Sequence, residues 1–237
     1  MKPIPGPIKE FRKAYRENYA KQFYSGELHL LFTLGVLLGA IGWQLSRLRG
    51  LSVLELLVLP GTVLFGNWVE YMLHRYPLHN IYPGLWPVYE IHSLNHHRFY
   101  VYDSMSFESF RDFMMVLFPP WAPVLAVVFT ASVGAYLVAP MAGANAGHLF
   151  AAGGASCLLF YEVLHALAHC EDEGWAGNLP LIQGIRRHHR LHHDPRLMSR
   201  YNFNITFPVF DWVFGTAIQS RPARAPAAPA QAAQSRV

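Results

Sequence analysis

Long apolar stretches separated by polar segments dominate the pattern along the chain. Four stretches reach the roughly 20 residues that a helix needs to cross a bilayer. They lie at about 28–46, 51–73, 113–139 and 145–169. Prolines near the start of the third stretch interrupt its helix, so we expect this span to enter the membrane near residue 121. The connections at 47–50 and 140–144 are short. The pattern therefore predicts an all-α integral membrane protein with four transmembrane helices in two hairpins.

The basic residues indicate how these spans are oriented. Four spans place the N-terminal segment, the 74–112 segment and everything after residue 169 on one side of the membrane. These regions hold nearly all the Lys and Arg, whereas the opposite loops contribute only Arg47 and Arg49. Lys and Arg are enriched on the cytoplasmic side of membrane proteins. We therefore expect a multi-pass protein with both termini in the cytoplasm.

The two ends of the chain differ from the apolar region between them. Residues 1–24 are basic and aromatic, a composition that suits a helix on an anionic membrane surface or, equally, a solvated N-terminal helix. Residues 25–216 form the predicted membrane domain. Residues 217–237 are rich in Ala and Pro and lack an apolar pattern, which predicts a disordered tail.

Composition supports the membrane class and adds an unusual chemistry. Hydrophobic residues make up 52% of the chain and charged residues 14%, whereas a soluble domain carries about 25% charged residues. The net charge of +4 is too small to suggest nucleic acid as a partner. Cys157 and Cys170 are expected to be reduced. The chain also contains 13 histidines.

Ten of these histidines fall into four groups, and the four-span topology places every group on the cytoplasmic face. The groups are His74 and His79; His92, His96 and His97; His165 and His169; and His189, His192 and His193. Side chains three or four residues apart share one face of a helix. His74 and His79 are five residues apart, so we expect Pro77 to break the helix and turn His79 back.

Imidazole is the commonest protein metal ligand. One tetrahedral zinc needs four ligands, so ten clustered histidines indicate two metals. Some roles stay open. His188 competes with His189 as a ligand, and Glu70 and Glu162 either orient ligand imidazoles or are partly buried acids. Asp211 is expected to pin the segment around it.

The histidine groups resemble a known pattern. EYMLHRYPLH (70–79), HSLNHH (92–97), HALAH (165–169) and HHRLHH (188–193) are similar to the histidine boxes of the fatty acid hydroxylase/sterol desaturase superfamily. NFNITFPVFDWVFGT (202–216) resembles the end of that family's domain. The resemblance covers about residues 60–216. It implies a four-helix membrane fold with a cytoplasmic, histidine-rich helical cap and a non-haem di-iron centre held by the ten histidines.

The resemblance also implies an activity: hydroxylation of a lipid acyl chain or head group with O2 and two electrons. The sequence shows no flavin or nicotinamide fingerprint, so an external NAD(P)H-driven donor is expected, such as a ferredoxin, cytochrome b5 or reductase. A desaturase or oxidase of a sterol- or carotenoid-type lipid is the alternative within the same chemistry. A membrane metal transporter is the alternative from another class, although its ligands would lie near mid-bilayer. The spacings leave the lipid, its reacting carbon and the oligomeric state open.

Overall fold

The computed structural model describes residues 4–18, 23–170 and 176–221, which form helices and no strand. The α-helices are α1 (Gly6–Asn18), α2 (Gly26–Ser46), α3 (Val58–Arg75), α4 (Trp86–Tyr89), α5 (His97–Phe99), α6 (Phe113–Val116), α7 (Trp121–Val133), α8 (Ala139–Ala142), α9 (Ala144–Ala168), α10 (Pro180–His192) and α11 (Val209–Val213). Shorter 3₁₀ segments lie at Glu55–Leu57, Phe110–Asp112 and Ala176–Asn178, and π-helical segments lie at Glu90–His96 and Gly134–Val138.

Four helical stretches in the described part of the chain are long and apolar enough to cross a membrane. They are Gly26–Ser46, Glu55–Arg75, Trp121–Ala142 and Ala144–Ala168. The predicted number of four spans is confirmed, and the third begins at Trp121, after the prolines. Residues 113–116 form the separate helix α6 instead of the start of that span. The hairpin pairing and the cytoplasmic side stay predictions.

The chain divides into two compact units. The first comprises residues 1–19, 70–107 and 167–237 and is called the histidine unit below; the second comprises residues 20–69 and 108–166 and is called the span unit. Of the ten predicted ligands, nine belong to the histidine unit. His165 belongs to the span unit, because the division falls within α9.

Small residues let the helices of the span unit approach closely. A Cβ atom added to Gly147 on α9 would lie 2.5 Å from the carbonyl oxygen of Gly134, and one added to Gly153 would lie 2.9 Å from the side chain of Thr62. Such contacts are typical of helix packing in membranes, where lipid offers no hydrophobic drive for association. Large apolar side chains such as Leu31, Leu64 and Leu125 stay exposed on the spans. This surface suits lipid rather than water.

The histidine unit is built from short helices and one folded loop. On α10, Ile182, Ile185 and Leu191 are buried, so this helix turns an apolar face inward along with its ligand histidines. The loop that follows folds around Asp211, whose carboxylate accepts hydrogen bonds from the backbone of Phe203 at 2.9 Å and of Asn204 at 2.8 Å. These hydrogen bonds hold the loop in place, which is the role predicted for Asp211.

Candidate metal centre

Five histidines converge in a first group, which combines residues from three of the four predicted boxes. Its members are His74, His79, His92, His97 and His192. Each is buried and offers a ring nitrogen, and these nitrogens all lie within 4.8 Å of one another. The Nε2 atom of His92 lies 2.9 Å from that of His74 and 3.1 Å from that of His97. The Nε2 atoms of His79 and His192 are 3.0 Å apart.

Two local features of the backbone bring these residues together. The helix α3 ends at Arg75, and the turn that contains Pro77 brings the ring centroids of His74 and His79 to 5.1 Å. The segment Glu90–His96 is π-helical, so its backbone hydrogen bonds join residues five apart. This geometry puts His92 and His97 in the same group.

A second group lies beside the first in the histidine unit. It contains His96, His169 and His189, whose ring nitrogens lie within 4.8 Å of one another. His193 extends this group, because its Nε2 atom lies 3.0 Å from that of His189 and 3.2 Å from that of His96. The rings of His97 and His193 are 4.2 Å apart between centroids, so the two groups are adjacent. The histidines of one box are therefore divided between neighbouring groups.

The outer nitrogens of five rings have acceptors. The Nδ1 atom of His74 donates to the carbonyl oxygen of Phe203, that of His169 to Met105 at 2.7 Å, that of His192 to Tyr201 at 2.9 Å and that of His193 to Tyr100 at 2.6 Å. The hydroxyl of Ser93 donates to the carbonyl oxygen of Leu78 and so accepts from Nδ1 of His79 at 3.1 Å. A carbonyl oxygen can only accept, so these contacts require Nδ1–H tautomers. The Nε2 lone pairs then face inward, as metal ligation requires.

The facing lone pairs suit a cation between the rings. The Nε2 atoms of His79 and His192 lie 3.0 Å apart, and both rings carry their proton on Nδ1. Without a cation this approach is repulsive in a buried site. Imidazole nitrogens about 2.1 Å from one ion are about 3 Å apart when they are adjacent in an octahedron. The residues present therefore fit metal ions in both chemistry and spacing.

Burial keeps these imidazoles neutral. It lowers the pKa of His97 and His193 well below the ordinary value, and each ring's histidine neighbours lower it further. Burial and the neighbouring histidines lower the pKa of His79, His92 and His192 in the same direction. A neutral imidazole has the lone pair that a metal needs. The site is thus arranged for ligation near neutral pH.

His165 lies on α9 one turn before His169, is buried, and has its ring centroid 5.5 Å from that of Tyr161. Its spacing of four residues from His169 predicts a shared helical face. Its place in the second ligand set stays a prediction.

The two candidate carboxylates make hydrogen bonds to backbone. Glu70 accepts from the amides of Ile205 and Thr206 and from the Thr206 hydroxyl. It thereby holds the loop whose Phe203 carbonyl accepts from His74. Glu162 accepts from the backbone of Phe118 at 3.2 Å. Direct orientation of an imidazole by either carboxylate stays a prediction.

Three remaining histidines have other partners. The Nε2 atom of His188 lies 3.1 Å from Asp211, whereas the adjacent His189 contributes its nitrogen to the second group. His148 lies with Nδ1 2.7 Å from the side-chain oxygen of Gln44, and Nε2 of His29 lies 3.0 Å from the Phe118 carbonyl. The described positions thus favour His189 as the ligand.

No motif in the sequence indicates the residues that orient the ligands. Phe203, Tyr100 and Met105 act through carbonyl oxygens, which every residue has, so side-chain identity carries no signal for them. Arg12, which holds the backbone next to Tyr100 and Met105, looks in the sequence like one more basic residue of an amphipathic helix.

Comparison with protein families agrees with this geometry. The family model described as fatty acid hydroxylase matches residues 59–216, close to the range over which the sequence resembles that family. No curated protein and no solved structure matches the chain. The matched region is two thirds of the chain and contains all ten histidines. The chain therefore belongs to the fatty acid hydroxylase family, a family of oxidoreductases, and the expected membership is confirmed.

Proposed function

We propose that the protein is a membrane-bound, O2-dependent di-iron lipid hydroxylase. The observation that carries this proposal is the facing pair of Nε2 atoms on His79 and His192, 3.0 Å apart, with both rings protonated on the other nitrogen. A cation between them relieves this repulsion. The family membership makes a hydroxylase the activity most consistent with such a site.

Each group supplies one ion's ligands. The first group offers His74, His79, His92, His97 and His192. The second offers His96, His169, His189 and His193. On its spacing from His169 we propose His165 as the remaining ligand, which gives ten histidines for two ions. Imidazole suits iron. When bound, the two ions would supply the chemistry that activates O2 and removes hydrogen from an unactivated C–H bond.

The protein's own residues prepare the site for that chemistry. Backbone carbonyls keep His169, His192 and His193 in one tautomer and one orientation, and burial excludes water from the rings. We infer that electrons come from a separate, NAD(P)H-driven donor protein.

An apolar cavity supports a lipid as the substrate. It has a volume of about 500 Å³ and lies between α10 and the segment 205–219. Its lining includes Ile185, Leu191, Phe207 and Trp212, together with His188. Leu191 immediately precedes the ligand His192 in the chain. A cavity of this size and character suits part of an acyl chain. We propose an amphiphilic substrate whose alkyl chain enters an apolar environment like that of this cavity.

Lipid mass spectrometry of a host with and without the expressed protein tests this function. Hydroxylation is expected to add one oxygen atom to one lipid class, and the His192→Ala variant should not produce it. Loss of two hydrogen atoms would instead indicate a desaturase. Metal analysis of anaerobically purified protein should give about two iron ions per chain. An unchanged lipid profile together with metal uptake across membranes would favour a transporter.

A further inference from the structure

The N-terminal helix α1 contains a fully buried charge. The side chain of Arg12 is 0% exposed, although it lies on a short helix that otherwise carries exposed basic residues. A guanidinium is almost never fully buried unless hydrogen bonds compensate for the lost water. The position of Arg12 therefore requires a defined set of acceptors.

The acceptors that the described part of the chain provides belong to one short piece of backbone. The Nε atom of Arg12 donates to the carbonyl oxygen of Phe99 at 2.8 Å, Nη1 donates to that of Ser106 at 3.1 Å, and Nη2 donates to that of Ser104 at 2.9 Å. Nη2 also lies 3.2 Å from the hydroxyl of Ser104. The guanidinium lies 5.0 Å from the ring centroid of Phe99 and 5.3 Å from that of Tyr100. Its planar fork thus joins both ends of the 99–106 segment.

The same segment orients two histidines of the second group. The carbonyl oxygen of Tyr100 accepts from His193 at 2.6 Å, and that of Met105 accepts from His169 at 2.7 Å. Both carbonyls lie between Phe99 and Ser106, the two ends of the segment to which Arg12 donates hydrogen bonds. A third contact ties the next residue, Phe107, to the carbonyl oxygen of His169 at 3.0 Å. Movement of this segment would therefore turn two ligand rings at once.

Aromatic contacts hold α1 in place over this segment. The guanidinium of Arg98 lies 4.3 Å from the ring centroid of Phe11, and the ring of Tyr15 meets that of Phe99 edge-on at 6.0 Å. The helix is thus anchored on both sides of Arg12. It lies outside residues 59–216, the region that matches the family.

We propose that Arg12 is a positioning residue of the second metal site and that α1 thereby helps to hold two metal ligands in place. Its guanidinium fixes the 99–106 segment, so that Tyr100 and Met105 keep His193 and His169 with Nε2 facing the ion. This inference rests on the proposed function, in which the second group binds a metal. In the first group, the described hydrogen bonds to outer nitrogens run from His74, His79 and His192 to Phe203, Ser93 and Tyr201, which lie outside this segment.

Cobalt(II) binding to the metal-free, full-length protein tests the proposal without relying on turnover. The absorption bands of bound cobalt count the sites and report the geometry of each. In Arg12→Gln, one ion should bind as in the wild type and the second should bind at least about tenfold more weakly, with altered bands. The matched control is Lys13→Gln, which removes the neighbouring charge from an exposed position on the same helix and should bind both ions normally.

Arg12→Lys covers the case in which Arg12→Gln does not fold. It keeps the charge but cannot span three carbonyl oxygens with one nitrogen, so weaker binding of the second ion is again expected. Two ions bound with wild-type affinity and spectrum by a folded Arg12 variant would overturn the inference. Equal weakening of both ions would overturn it too. Wild-type protein that binds fewer than two cobalt ions would contradict the proposed function itself.

Discussion

The Nε2 atom of His188 lies 3.1 Å from a carboxylate oxygen of Asp211, while its neighbour His189 faces the second histidine group. Asp211 is 0% exposed and also accepts from the amides of Phe203 and Asn204 and from the hydroxyl of Thr216. Burial alone would raise the pKa of Asp211, but the hydrogen bonds lower it overall. The pair ties α10 to the loop that presents the Phe203 carbonyl to His74.

Asp211→Asn should therefore destabilise the protein. The amide keeps the shape of the side chain but replaces one oxygen acceptor with an NH2 donor. That donor would then face partners that also donate, so their hydrogen bonds would be lost. The expected loss in the free energy of unfolding is about 3 kcal/mol, measured by denaturation of the detergent-solubilised protein. Asp103→Asn, at an exposed position, is the control and should change little. Equal stability of the two variants would refute the structural role of Asp211.

Loss of a ligand should remove activity without removing the protein from the membrane. His169→Ala and His193→Ala each delete a nitrogen from the second group, so lipid hydroxylation should fall below detection. His148→Ala is the control, because His148 faces Gln44 in the span unit and belongs to neither group. Membrane fractions should contain all three proteins in similar amounts. Equal losses of activity in all three variants would show that membership of a histidine group does not identify the residues needed for activity.

The buried histidines predict a steep loss of stability in acid. Burial lowers the pKa of residues such as His79, His97 and His193 in the folded protein, whereas unfolded histidine titrates near 6.5. Below about pH 6.5 the unfolded state binds more protons, so the folded state loses up to about 1.4 kcal/mol per pH unit for each such histidine.

Metal binding should also weaken as the pH falls, because protons compete with the metal for Nε2. Unfolding midpoints and retained metal, compared at about pH 7.5 and about pH 5.5, provide the measurement. The metal-free protein should unfold more readily at the lower pH, and the loaded protein should release its ions there. A metal-free protein as stable at the lower pH as at the higher one would contradict the neutral, buried state of these rings.

The spans and the clustering of histidines were predictable because both depend on patterns that a sequence displays. Apolar length predicts a membrane helix, and i,i+4 spacing predicts a shared face. The division of the ligands between the groups was not predictable. The four-residue spacing of His92 and His96 predicts that both face one metal centre or two neighbouring centres. In the structure this segment is π-helical, so His92 joins His97 in the first group and His96 joins the second group. Local hydrogen bonding of the backbone decides this, and side-chain identity hardly signals it.

The supporting contacts were less predictable still. The sequence leaves Glu70 open between orienting an imidazole and being a partly buried acid; its described hydrogen bonds to Ile205 and Thr206 act on the loop that holds His74. In the sequence, Arg12 looks like one of several basic residues in the segment 1–24, but the structure buries it completely. Both cases depend on contacts between residues about 90 or more positions apart, and no local pattern in the sequence encodes such contacts.

Both termini should lie in the cytoplasm. Four candidate spans return the chain to the side on which it starts, and the basic residues favour that side being cytoplasmic. Fusions of a reporter that is active only in the cytoplasm, placed at residue 237 and at residue 144, should be active and inactive respectively. Activity of the fusion at 144 alone would invert the proposed topology.

Oxidation should fall near the head-group end of the lipid. The histidine groups draw their ligands from residues at or beyond the ends of two candidate spans, since His74 lies one residue before α3 ends and His169 follows directly after α9. We therefore expect these ligands to lie at the level of the membrane interface, not at mid-bilayer. An amphiphile whose polar head remains at that level brings carbons a few bonds from the head group next to the metal centre, while its remaining chain enters the apolar region. Fragmentation mass spectrometry of lipids from expressing cells locates the new oxygen, with His193→Ala cells as the background. Oxygen located only at the methyl end of the chain, or only on water-soluble metabolites, would contradict this placement of the substrate.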